Sequence, residues 1–210
     1  MYITNPNSSI RASSVTRKST PIAATGENGA VSQLAILVSL VCAKYLYVAC
    51  FSSYLVFYSM DRFAMSEASG LVVLFAFHAA VAGGGLIGGS FSDRIGTRPV
   101  IGFSFWAALP FALAFPWLGP VAGIAAALLA ATVIASAFPA IVVHAQSLMP
   151  ARIGMISGIF YGTAFGVAGL GAAALGWLAD VTSLTTIFIL TSFMPLAGIL
   201  TLFLRSNRGR

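Results

Sequence analysis

A lysine at position 44 interrupts the apolar stretch Gln33–Tyr58. At 1.5 Å per helical residue it stands about 16 Å into that stretch, near the middle of a bilayer. An ammonium at such depth costs on the order of 3 kcal/mol or more on insertion scales, so it has to face a cavity or a partner. Tyr47, Phe51, Tyr54 and Tyr58 follow at three- and four-residue steps, which predicts a shared helix face. One cation beside several hydroxyls suits an anionic or zwitterionic ligand and makes Lys44, Tyr47 and Tyr54 substrate-cavity candidates. The alternative is that the rings only pack and Lys44 bonds to a backbone carbonyl. His144 and Gln146 lie near the end of a later apolar stretch, where a lone histidine more often packs than relays protons. His78 lies deep in another stretch and could equally bond to a neighbouring helix. Neither histidine has a metal-ligating partner at suitable spacing, so no metal or cofactor is expected.

The other cluster of chemistry-bearing residues is GSFSDRIGTRP, Gly89–Pro99. Asp93 and Arg94 close one apolar stretch, Gly96 permits a tight turn, and Arg98 opens the next. Charges gathered at a helix junction can pair across the membrane edge and bias one conformation over another. Gly89, Asp93, Arg94, Gly96 and Arg98 therefore form a candidate gating loop. An ordinary basic loop that happens to hold an aspartate would look much the same.

These groups need long membrane elements to position them. The chain has 210 residues, 59% hydrophobic and 8% charged, with mean hydropathy +0.95. So few charges cannot cover a soluble domain of this length, whereas lipid can solvate the remainder. The fold class expected is an all-α membrane protein with six spans, about Gln33–Tyr58, Gly70–Phe91, Pro99–Leu118, Val121–Leu148, Ile153–Leu178 and Thr185–Leu204. Residues 1–30 are Ser-, Thr- and Asn-rich without an apolar run, and read as a disordered cytoplasmic tail rather than a signal peptide. Their arginines and serines ahead of the first acid would also suit an organelle transit peptide. Residues 31–205 form the six-helix domain and 206–210 a second cytoplasmic tail. Arg11, Arg17, Lys18, Arg94, Arg98, Arg152, Arg205, Arg208 and Arg210 fall on one side and Arg62 alone on the other, which predicts cytoplasmic termini. The net charge of +6 is dispersed over loops and tails, so no nucleic-acid partner is expected. Cys42 and Cys50 share the first span and read as reduced packing residues.

Small residues mark where these spans can approach a neighbour. Gly84 and Gly88 in the second span, and Gly154, Gly158, Gly162 and Gly166 in the fifth, recur every four residues. Such rows let helix backbones come close in lipid, within this bundle or against another one. The third span carries Phe103, Phe105, Trp106, Phe111, Phe115 and Trp117 without a charge, and is expected to face lipid.

The string Gly-x-x-x-Asp-Arg-x-Gly-x-Arg between two spans resembles the signature loop of the major facilitator superfamily. From Ala43 onward the chain is similar to the second half of fosmidomycin-resistance-type transporters. The stretches carrying the resemblance are AKYLYVACFSSY (Ala43–Tyr54), GGSFSDRIGTRPV (Gly88–Val100), SAFPAIVVHAQSLMPARIGMISGIFYGTAFG (Ser136–Gly166) and GLGAAALGWLAD (Gly169–Asp180). The chain departs from the family at Thr97, where a base is usual, at Ser147 for Glu, and at Ala151 for Gly. The resemblance implies one half-bundle of a twelve-helix carrier, with the first and fourth spans lining the cavity, the second and fifth meeting the other half, and the third and sixth facing lipid. It makes His144 and Gln146 of the fourth span further cavity candidates. It also implies efflux of a small phosphonate in exchange for protons across a bacterial inner membrane. Expected partners are the bilayer, a small-molecule substrate, protons, and a second six-helix half, either a separate chain or another copy. None of Glu27, Asp61, Glu67, Asp93 and Asp180 lies deep in a span, so a coupling carboxylate would belong to the other half. An inactive fragment or a non-transporting membrane scaffold would carry the same features. No paired catalytic groups stand at depth, so the chain is not expected to be an enzyme.

Overall fold

The computed structural model describes residues Glu27–Leu204, so most of the tail expected over residues 1–30, and all of that over 206–210, lies outside the described residues. Six helical spans, each long and apolar enough to cross a membrane, run Gly29–Phe63, Glu67–Ile95, Thr97–Trp117, Pro120–Leu148, Pro150–Val181 and Leu184–Phe203. They are built from α1 (Glu27–Phe63), α2 (Glu67–Ile95), α3 (Thr97–Ala114), α4 (Pro120–Ala135), α5 (Ala137–Leu148), α6 (Ile153–Val181) and α7 (Leu184–Ser192). Short 3₁₀ segments complete them at Phe115–Trp117, Pro150–Arg152 and Met194–Phe203. The order is that of the six expected spans, and the described residues form an all-α bundle as the sequence predicts.

Local chemistry explains the boundaries. The side chain of Ser66 accepts from the Ser69 amide and that of Ser183 from the Thr186 amide, so two of the three helices starting at this end of the bundle, α2 and α7, are capped, while the third, α4, starts on Pro120. At the opposite end α2 passes into α3 through Gly96, whose φ of 92° excludes a side chain on steric grounds. Nothing lies within reach of a Cβ there, so conformation rather than space demands that glycine. The first helix starts at Glu27, inside the stretch read as tail.

The fourth span is two helices rather than one. Pro139 has no N–H to offer the carbonyl four residues back, and α4 stops at Ala135 while α5 restarts at Ala137. The Ser136 hydroxyl donates to the Val133 carbonyl at 2.6 Å and lies 2.6 Å from that of Ser104 on α3, which satisfies polar groups at the break.

Two apolar clusters stack along the bundle. One holds an aromatic group, with Phe51 4.9 Å from Phe188, 5.0 Å from Phe115 and 5.2 Å from Phe77 between ring centres. The other gathers Leu37, Leu40, Ile101, Phe105, Ile141 and Phe160 toward the Asp93–Arg98 end. The expected lipid-facing third span is mixed: Phe103 and Trp117 are exposed, but Phe105 and Phe115 are fully buried in these cores.

Glycine decides which spans touch most closely. A methyl added at Gly84 would run into the Thr132 carbonyl, and one at Gly88 into the Ser136 backbone. The second span thus packs against the broken fourth span, within this bundle. Gly88→Val should cost about 1–3 kcal/mol through overpacking, whereas Gly158→Val, with nothing within 4 Å, should leave the isolated bundle unchanged. Thermal melting of the two variants in detergent checks the contrast.

Candidate functional site

Lys44 stands 17 residues from the start of α1 and 19 from its end, at the level where the two apolar clusters meet. Its side chain is 4% exposed. The ammonium nitrogen lies 3.8 Å from the centre of the Tyr45 ring and 5.1 Å from that of Phe138. Phe138 in turn meets Tyr45 and Tyr161 edge-on, each at 5.2 Å. The rings therefore come from α1, α5 and α6, and Phe138 is placed by the break that Pro139 introduces. Among the described residues no carboxylate and no hydrogen-bond acceptor meets Lys44. Ring faces attract a cation but do not replace an anion, and such contacts contribute roughly 0.5–2 kcal/mol. The arrangement buries the ammonium at the middle of the longest span without a counter-charge among the described residues.

The other cavity candidates are not gathered around it. Tyr47 turns into the aromatic cluster, fully buried beside Phe51 at 4.6 Å. Tyr54 donates to the Ala172 carbonyl at 2.7 Å and ties α1 to α6, where Gly176 leaves room for its hydroxyl. Gln146 donates to the Ser157 hydroxyl at 2.9 Å and joins α5 to α6. His144 lies six residues beyond Phe138, about 9 Å further along the helix, with Nδ1 2.8 Å from the Thr97 hydroxyl. It belongs with the loop end rather than with Lys44.

His78 is exposed on α2, with Nδ1 3.0 Å from the Leu74 carbonyl and Nε2 3.0 Å from the Ser52 hydroxyl. A carbonyl can only accept, so Nδ1 carries the proton and, in the neutral ring, Nε2 accepts from Ser52. The histidine thus links the first two spans. In the candidate gating loop Asp93 and Arg94 are exposed, Arg98 is half-buried, and Gly89 has open space around it. Among the described residues no ion pair joins these charges to a partner. The aromatic seat around Lys44 was not foreseen from sequence. Tyr45 is its direct neighbour, but Phe138 and Tyr161 reach it only through the fold.

The faces left bare are specific. Of the most apolar stretch of each span, 17% is buried in the fifth and 22% in the second, against 56% in the fourth. A Cβ at Gly154, Gly158, Gly162, Gly166 or Gly169 would meet nothing within 4 Å. The fifth span's other glycines, Gly171 and Gly176, are already filled by Leu46 and Tyr54 of α1.

No protein-family model matches the chain. It is 44% identical over 198 residues to the fosmidomycin resistance protein of Escherichia coli strain K12, covering 92% of this chain and 48% of that protein. It is 39% identical over 152 residues to YfnC, an uncharacterized transporter of the major facilitator type from Bacillus subtilis strain 168, covering 72% of this chain and 37% of that protein. The chain spans about half the length of the first relative and less of the second, and fits the C-terminal half of a major facilitator protein.

If Lys44 is held for a ligand rather than for the fold, its burial is a cost to the free bundle. Lys44→Met should then raise the stability of the ligand-free protein by about 1–4 kcal/mol. Melting in detergent without substrate checks this, and a fall would make Lys44 a structural residue.

Proposed function

We propose that this bundle is one half of a secondary carrier that exports a small anion, with Lys44 as the substrate contact at the bilayer midplane. The observation that carries the proposal is the buried ammonium, which has two ring faces around it and no acid among the described residues. A phosphonate of the fosmidomycin kind has the charge such a site lacks, and the name of the Escherichia coli relative supports that substrate class. Carriers of this type place substrate between two bundles that rock about a midplane site. The second bundle would lie on the bare faces of the second and fifth spans, where open glycines permit close approach. Lipid makes no use of a row of small residues, whereas a second helix does. The partner is a six-helix first half of the same family, and the first half of the Escherichia coli relative can stand in for it. With the termini in the cytoplasm of a bacterial inner membrane, Arg94, Arg98 and Arg152 lie on the cytoplasmic side and the Ser66- and Ser183-capped end faces outward.

The test is growth of an efflux-deficient, fosmidomycin-sensitive host carrying this chain with and without that first half. Resistance is expected only from the pair, and Lys44→Ala should return the pair to the sensitivity of the empty host. Resistance from this chain alone would instead support two copies acting together. Full resistance of the Lys44→Ala pair would remove the lysine from the substrate site.

A further inference from the structure

At the loop end a cavity of about 870 Å³ opens between α2, α3, α5 and the end of the sixth span. It is separate from the Lys44 seat and plays no part in the proposed transport step. One end is polar: Ser92, Thr97, Arg98 and His144 line it. The other is apolar, with Trp106 and Leu202, both exposed on the outer surface of the bundle. None of its lining residues is acidic.

Two buried polar atoms at this cavity have no partner, the Ser92 hydroxyl and His144 Nε2. Ser92 is 7% exposed and His144 3%. Leaving such groups unpaired is unfavourable, and a bound ligand that pairs them would offset that cost. The helix that begins here adds to the same demand. The first turn of α3 has no side-chain cap, no acid, and Arg98 as its second residue. Free amides at a helix N-terminus, a guanidinium, two hydroxyls and an imidazole are the groups that hold a phosphate.

We infer that this cavity binds a phosphate-bearing anion. Its amphipathic shape, polar at the loop and apolar where it meets the outer surface, fits a phospholipid whose phosphate lies at Arg98 and whose chain runs past Trp106 and Leu202. A soluble phosphate compound shares the headgroup chemistry. Gly102 sits in the wall between the two ends and has room for a side chain, since the nearest atom to an added Cβ is the Thr201 hydroxyl at 3.7 Å.

The test uses the full chain in lipid nanodiscs with Trp106 as the sole tryptophan (Trp117→Phe, Trp177→Phe). Brominated phosphatidylglycerol should quench Trp106 in preference to brominated phosphatidylcholine. Arg98→Gln should lower that preference about tenfold, which is about 1.4 kcal/mol, and Arg98→Lys should recover part of it. Gly102→Leu, which fills the cavity without touching a charge, should abolish the preference. A companion protein with Trp117 alone reports the opposite end, where neither preference nor mutational effect is expected. Sodium phosphate that shifts Trp106 emission in phosphatidylcholine discs and suppresses the phosphatidylglycerol preference would assign the site to a soluble phosphate. Equal quenching by both lipids without a response to phosphate would overturn the proposal. So would a preference that survives both Arg98→Gln and Gly102→Leu.

Discussion

Helices in lipid gain nothing from hiding one leucine behind another, so their association depends on how closely backbones can approach. That constraint organises this bundle. Gly84 and Gly88 bring the second span onto the Thr132 and Ser136 backbone, where the fourth span is broken and its carbonyls most need shielding. Gly171 and Gly176 receive Leu46 and Tyr54 from α1. Where small residues are filled, spans are joined. Where they stand open, along Gly154 to Gly169, the bundle has a bare face.

The same break sets up the polar level of the molecule. Pro139 ends one helix and starts another, and the residue before it, Phe138, becomes part of the seat of Lys44. Above and below are packed apolar clusters, so the lysine lies at a seam rather than in either core. A charge in that position without an acid is unfavourable for a protein that only has to fold. It is reasonable for one whose missing counter-charge arrives as substrate. The two proposals, a half-carrier and an anion site, rest on separate observations in the same structure: a bare glycine face and a buried ammonium without an acid among the described residues.

Much of the fold was legible because twenty-residue apolar runs and short connections leave few alternatives in a membrane. The depth of Lys44 was readable from counting alone. The break at Ser136 could have been read from Pro139, which stands well inside a predicted span. The sides of helices were harder. Tyr47 sits three residues after Lys44, yet the rotation of α1 turns its ring into the aromatic core while Lys44 meets Phe138. Spacing says which residues are neighbours on a helix, but not which of them faces a cavity. Likewise Gly84 with Gly88 and Gly85 with Gly89 are equivalent in sequence. Only the packed structure shows that the first pair lies on Thr132 and Ser136 and the second faces open space. His144 reads as a cavity residue by its span and belongs to the loop end by its bond to Thr97.

The central claim is that the open glycine face of the fifth span is where a second half docks. Cysteine cross-linking in native membranes addresses it most directly, with Gly158→Cys in this chain and single cysteines scanned along the first half of the Escherichia coli relative. The account predicts a cross-linked band between the two halves at positions one helical turn apart, absent when Ala164→Cys, on the buried side of the same span, is used instead. Cross-linking no stronger than that of a cysteine on the outer face, at Phe103, would contradict it.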